Sequence, residues 1–173
     1  SLLFTGTVKN TMPRDEGYAY INLGKFLERA IQTADILRIK WSGVSHDTQQ
    51  TMETPELRYL LYSLFGYEQY VKTYKGKFSP DNVLQMILYN TNFPHSLLYS
   101  LNQLSRYFER LKEGSSSESY EQVEFLIGKT KNTLKYSHFT NENPGELNKF
   151  LLQIKNELFE IAAAFSKYYF GNS

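Results

Sequence analysis

Apolar side chains recur every three or four residues along most of the chain, and this spacing constrains the fold more than any other feature. One series steps from Leu97 to Leu111 and another from Leu147 to Phe165. Such spacing places apolar side chains on one face of an α-helix, whereas a half-buried strand would need strict alternation. Because strand patterns are absent, the sequence predicts an all-α protein, an antiparallel helical bundle of about six helices.

Proline and capping residues indicate where the helices begin. Thr54-Pro55, Ser79-Pro80 and Asn143-Pro144 each place a capping side chain before a proline at the first helical position. The predicted helices cover 13–41, 55–75, 80–89, 94–112, 118–136 and 144–170, with a short helical segment at 3–10. The residues predicted to face the core are Leu23, Leu27, Leu101, Leu104, Phe108, Leu151, Ile154, Leu158 and Ile161.

Composition limits the classes of function. The chain has 173 residues and only short polar loops, so we expect one helical domain over 1–173, as part of a longer protein. With 19 Lys+Arg against 18 Asp+Glu, no basic excess is available for binding nucleic acid. No apolar run approaches the ~20 residues of a membrane span. The absence of cysteine excludes thiolate chemistry and favours the reducing cytoplasm.

The predicted helix over 13–41 is apolar on more than one face. Ile21 and Phe26, among others, lie off its main apolar stripe. A helix of this kind is usually central and needs cover on both sides. We therefore predict either a two-fold homodimer or cover by another segment of a longer protein. The residues predicted to take part in self-association are Phe4, Val8, Phe26, Ile36 and Ile39.

Two charged octapeptides share one pattern. Residues 23–30 and 104–111 both read Leu-x-basic-aromatic-apolar-Glu-Arg-apolar and lie 81 residues apart. An internal duplication would explain the match, but the Glu-Arg dipeptide is also common in helices. Adjacent helical residues point about 100° apart, so Glu28 and Arg29 do not pair with each other. We expect Arg29 to bond a residue from another helix.

The charged residues of the octapeptides are the candidate site. Glu28 can reach Lys25, and Glu109 can reach Arg106, as intrahelical pairs one turn apart. Arg110 and Arg29 point away from these pairs, so each is expected to bond a carboxylate or carbonyl group on another helix. A structural role is favoured, because structural ion pairs are common. The other interpretation is an anionic pocket. The residues proposed to line that pocket are Arg14, Lys25, Glu28 and Arg29.

Several motifs occur in an order that resembles a known family. Phe4-x-Gly6 is followed by the run 12–17 and the octapeptide 23–30, and a second patch reads Asn-Phe-Pro-His-Ser at 92–96. These stretches resemble the bacterial alpha-E family, a helical domain with a Glu-Arg signature, and look like the C-terminal part of a longer member. His95 stands where the family pattern is expected to have arginine. The resemblance implies no assigned activity. It does imply association with ATP-grasp-type ligases and transglutaminase-like proteins.

Catalytic and metal-binding constellations are missing from the sequence. His46, His95 and His138 have no second ligand one helical turn away, so we expect no metal. No phosphate-binding loop of Walker type is present, and we expect no cofactor. The residues therefore favour an interaction or scaffold protein with protein partners over an enzyme. The alternative is an enzyme or ligand-binding domain that uses the pocket of arginine, glutamate and lysine. Nucleic-acid and membrane partners are not expected.

Overall fold

The computed structural model describes residues 14–42, 54–75 and 77–169, with side chains from residue 16 onward. The regular structure of these residues is helical throughout, without strands, as predicted. The predicted segment at 3–10, including Phe4 and Val8, lies outside the described residues. The described helices are α1 Arg14–Ser42, α2 Thr54–Ser63, α3 Tyr67–Tyr74, α4 Pro80–Tyr89, α5 Leu97–Glu109, α6 Ser117–Lys135 and α7 Pro144–Tyr169.

The four longest helices, α1, α5, α6 and α7, form an antiparallel bundle. Helix α1 packs against α5 and α7, and α6 completes the ring by packing against the same two helices. Tyr20 near the start of α1 contacts Tyr169 at the end of α7, while Asp35 near the other end pairs with Lys155. These contacts show that α1 and α7 run in opposite directions. The short helices α2, α3 and α4 pack on one another between α1 and α5 in the chain.

The core of the bundle follows the predicted apolar stripes. All nine residues predicted to face inward are buried. Helix α1, which the sequence predicts to be central, packs against α5 and α7, and its Leu37 is fully buried. Of its residues off the stripe, Phe26 is buried and Ile36 packs against the core, whereas Ile39 is 71% exposed. The chain itself therefore covers part of the second face, and the homodimer stays a prediction.

The predicted helix over 55–75 is two helices, joined by a turn at Phe65 and Gly66. Phe65 adopts the left-handed conformation, with φ of 57°. The amide of Gly66 donates to the carbonyl of Leu61 at 2.8 Å, which closes the turn in the Schellman pattern. After the turn Tyr70 faces the core, whereas Glu68 is exposed. Glu68 is the one polar residue in the helically spaced series Leu57, Leu60, Leu64, Glu68 and Val71, and it marks the change of face.

Serine side chains define the starts of three helices. Ser79 accepts a hydrogen bond from the amide of Asn82, and Ser116 caps α6 in the same way. Ser96 accepts from the amide of Tyr99 at 3.0 Å and so begins α5 at Leu97. The helix predicted from Pro94 therefore starts three residues later. The physical reason is that a capping serine satisfies an amide that the first helical turn leaves unpaired.

Candidate functional site

Four aromatic side chains meet where α1 packs against α5, and we call this cluster the aromatic seam. The rings of Phe26 and Tyr107 stack, with centroids 6.0 Å apart and planes 17° apart. Tyr18 lies edge-on to Tyr107 at 6.0 Å, and Tyr99 lies 6.2 Å from Phe26. Phe26 is buried, the rings of Tyr99 and Tyr107 are half-buried, and Tyr18 is 55% exposed. The seam therefore begins in the core and ends at the surface.

Cationic side chains lie over the rings of the seam. The guanidinium of Arg29 is 5.2 Å from the centroid of Phe26, and that of Arg110 is 4.8 Å from the centroid of Tyr107. The ammonium of Lys25 is also 5.3 Å from Phe26. These distances lie within the range of cation–π attraction. The seam is therefore both aromatic and positively charged.

The pKa of the Tyr107 phenol depends on its burial and on the charges around it. Burial raises its pKa, and a hydrogen bond to Tyr18 raises it further. The nearby positive charges of Arg110 and Arg106 lower the same pKa in part. Arg106 is exposed, but it lies close enough to Tyr107 for its charge to lower the pKa of that tyrosine.

The two octapeptides face each other across the seam. Phe26 and Tyr107 are their aromatic members, and these two rings stack. In each copy, the arginine three residues later lies over the ring of its own copy. The two octapeptides on these antiparallel helices are therefore related by an approximate two-fold axis. Residues 81 positions apart in the sequence occupy equivalent places in the seam.

The match between the two copies extends beyond the octapeptides, which the sequence reasoning missed. A tyrosine stands eight residues before each aromatic member, as Tyr18 and Tyr99, and both are in the seam. A proline stands five residues before each of these tyrosines, as Pro13 and Pro94. Aligning the chain with itself at the same offset would have found these tyrosines.

Arg29 reaches out of its own helix, but its partner is in a loop and not in the other helix that the sequence predicts. Its Nη1 donates a hydrogen bond to the carbonyl oxygen of Pro94 at 3.3 Å, in the loop before α5. The acceptor is a backbone carbonyl and not the carboxylate of another helix. Arg29 is half-buried. One part of its guanidinium therefore holds the loop while another part borders solvent.

The motif at 92–96 connects three parts of the fold. Phe93 is 1% exposed, and a Cβ on Gly66 would lie 2.7 Å from its ring. The hydroxyl of Ser96 donates to the carbonyl of Asn90 at 2.6 Å, and that of Thr33 contacts the carbonyl of His95 at 3.4 Å. The motif thus ties the α2–α3 turn, α5 and α1 together. Its role in the structure is to fix this loop against α1.

His95 lies beside the positive charges of the seam. Its ring is 5.8 Å from that of Phe65 and 6.0 Å from that of Phe93. Burial lowers the pKa of His95, and the charges of Arg29 and Lys25 lower it further. The imidazole is therefore held in its neutral form near neutral pH, unlike the arginine expected at this position.

We expect His95 to make the protein less stable in mild acid. A histidine whose folded pKa is below its unfolded value binds fewer protons when folded, so stability decreases as the pH falls through about 6.5. His95→Gln should reduce this decrease, measured as the urea midpoint between about pH 7.5 and pH 5.5. His138→Gln is the control, because this histidine is exposed. Equal pH dependence in the wild type and His95→Gln would contradict the assignment.

The remaining candidate residues do not all join the seam. The side chain of Arg14 lies outside the described part of the chain. Glu109 is exposed and lines a cavity of about 230 Å³ between α5 and α6, together with Tyr120 and Glu124. Burial and the two glutamates raise the pKa of Tyr120 to about 12. Glu28 is half-buried and has a contact within the protein. The structure therefore places Lys25, Arg29, Arg106 and Arg110 at the seam, while Glu109 borders the cavity between α5 and α6.

The described residues contain neither a group of metal ligands nor a helix suited to span a membrane. Within 14–42, 54–75 and 77–169, no group of three or more His, Cys, Asp or Glu side chains could hold a metal ion. None of the helices there is long and apolar enough to cross a membrane. The candidate site consists of the aromatic side chains of the seam and the cations beside them.

The fold and the seam define an all-α bundle in which two Glu-Arg stretches face each other. The sequence model of the alpha-E family, a predicted alpha-helical domain with a conserved ER motif, matches residues 1–170. The chain belongs to this family. Uncharacterised proteins of Mycobacterium bovis and Mycobacterium tuberculosis are 26% identical to it over 163 residues. That alignment covers 94% of this chain but 17% of the length of those relatives. No solved structure matches the chain.

Proposed function

We propose that this alpha-E domain is a protein-interaction module and that the aromatic seam is its docking surface. The observation that carries the proposal is the coincidence of stacked rings and cations on α1 and α5. Tyrosine and arginine are enriched in protein interfaces and in their hot spots. Tyr18, more than half exposed, and Arg110 supply both residue types at the surface of the seam.

The seam is suited to binding because its side chains already contact one another within the fold. Tyr18 is held against Tyr107, and Arg110 lies over the same ring. Side chains that are fixed before binding lose less conformational entropy when the complex forms. A partner would therefore meet a surface whose geometry needs little adjustment.

The second candidate function is a ligand-binding or enzymatic site built on Arg14, Lys25, Glu28 and Arg29. It is favoured by the convergence of Lys25 and Arg29 on His95, since both lower the pKa of that residue. Against it, Arg29 donates to a backbone carbonyl of the fold. This bond supports a structural role for the arginine, and we prefer the interaction module.

The wider setting of the domain is also a proposal. The family resemblance supports a bacterial, cytoplasmic partner system of peptide or protein modification, with an ATP-grasp-type ligase or a transglutaminase-like protein. Because the chain spans 17% of the mycobacterial relatives, the proposal concerns the domain and not the activity of those longer proteins. A homodimer remains an alternative partner arrangement, since Ile39 and Ile21 are exposed on α1.

We expect Tyr18→Ala to abolish capture of the partner. The tagged domain would be used to pull proteins from a lysate of the encoding organism, with identification by mass spectrometry. Tyr136→Ala is the matched control, because Tyr136 is 77% exposed on the loop after α6. A protein retained by the wild type and the control but lost with Tyr18→Ala supports the seam. Equal capture by both variants would contradict it.

A further inference from the structure

The positive charges of the seam come from equivalent positions of the two octapeptides. Lys25 and Arg106 precede the aromatic member by one residue, and Arg29 and Arg110 follow it by three. The chain as a whole carries a net charge of only +1. Four cations around one group of rings are therefore a local concentration of charge and not a property of the whole surface.

Helical geometry places these cations on one face together with the exposed tyrosine. At about 100° per residue, Tyr18, Lys25 and Arg29 fall within an arc of roughly 40° on α1. The same spacing recurs on α5, with Tyr99, Arg106 and Arg110. Because the helices are antiparallel and their rings contact each other across the seam, the two arcs border the same face of the pair.

The two octapeptides hold four cations and two carboxylates, Glu28 and Glu109, so their charged side chains sum to +2. Glu109 lines the cavity between α5 and α6. Glu28 is half-buried and already engaged within the protein. The positive charges of Arg29 and Lys25 also lower the pKa of His95, which agrees with a positively charged face. The face therefore has a positive field that a negatively charged partner would neutralise.

The cations retain hydrogen-bond donors for such a partner. A guanidinium has five N–H donors, and Arg29 directs Nη1 to the carbonyl of Pro94. Arg110 is exposed above the ring of Tyr107. A carboxylate matches the planar geometry of a guanidinium and can accept two hydrogen bonds from it. Apolar side chains on the same side of the segment as the carboxylates would rest on the rings.

We infer that the aromatic seam binds an acidic polypeptide segment of its partner, whose carboxylates and apolar side chains lie on one side of the segment. This inference rests on the proposed function and names the chemistry of the partner. A single carboxylate cannot reach both ends of the seam, so several along one segment would bind together. The near-neutral charge of the whole chain favours a peptide over the uniform backbone of a nucleic acid.

The test uses a fluorescein-labelled peptide with the repeat Glu-Glu-Leu-Leu, which places both residue types on each side of an extended segment, measured by fluorescence anisotropy. Its control peptide has glutamine in place of glutamate. We expect the glutamate peptide to bind and the glutamine peptide to bind far more weakly. The double variant Arg106→Gln/Arg110→Gln should weaken binding roughly tenfold, and added salt should weaken it further. Both arginines are exposed, so the variant is expected to fold.

The matched control variant is Lys135→Gln/Lys149→Gln, which removes two exposed charges from α6 and α7. It should leave the affinity for the peptide unchanged. Equal weakening by both double variants, or no binding of the glutamate peptide, would overturn the inference. Tighter binding of a labelled single-stranded oligonucleotide would overturn it as well. Partner capture that depends on Tyr18, without affinity for the peptide, would leave the proposed function intact and refute only the acidic partner.

Discussion

Replacing Leu104 or Ile154 by alanine is expected to lower the free energy of unfolding by about 2–5 kcal/mol each. Both side chains are fully buried in the bundle, on α5 and α7 respectively. Each truncation removes apolar contacts and leaves a cavity that the neighbouring helices fill only in part. Urea unfolding followed by circular dichroism measures the loss.

Leu152→Ala is the matched control for these truncations. Leu152 lies two residues before Ile154 on α7 but is 43% exposed. Its replacement by alanine should cost less than about 1 kcal/mol, because less apolar surface is removed from the interior. If Leu104→Ala and Ile154→Ala cost no more than this control, the apolar stripes do not face the core as described.

Phe93→Ala is expected to lower the free energy of unfolding by about 3–5 kcal/mol. Phe93 is 1% exposed, and its ring fills the space above Gly66. The loop that it anchors contains the carbonyl of Pro94, which accepts from Arg29. The loss should therefore appear in urea unfolding and also loosen this loop. Faster hydrogen exchange at the start of α5 would report the loosening.

Phe65→Ala is the matched control, since the rings of Phe65 and Phe93 lie at nearly equal distances from His95. Phe65 is 85% exposed, so its removal should change stability by less than about 0.5 kcal/mol. Similar losses for the two variants would show that the contact with His95, and not burial of the ring, provides the stability. In that case the motif at 92–96 would not be the structural connection that we describe.

The packing of α1 against α5 brings the two Glu-Arg stretches into contact. Their aromatic members, Phe26 and Tyr107, stack on each other, and their arginines lie over the rings. The arrangement includes both core and surface side chains, because Phe26 is buried while Arg110 is exposed. The shared pattern thus contributes to the packing of α1 against α5, and its role in binding is the proposal that Tyr18→Ala and Arg106→Gln/Arg110→Gln test.

Local features of the sequence were sufficient for most of the helix boundaries. Pro80 and Pro144 begin helices as predicted, because the fixed backbone of proline suits the first turn. The break at Phe65 was not predictable from propensity, because a phenylalanine in the left-handed conformation is uncommon. Tertiary packing decides that turn, since Gly66 lies against Phe93 from a distant loop.

The candidate site shows the same division between local sequence and tertiary packing. The helical spacing alone determined that Lys25 and Arg29 lie near one face of α1 and that Leu27 faces the core. Only the tertiary structure decided that Tyr107, 81 residues away from Phe26, stacks on it and that Arg29 reaches Pro94. The physical reason is that the helical period fixes directions within one helix, whereas the partner across an interface depends on how whole helices pack.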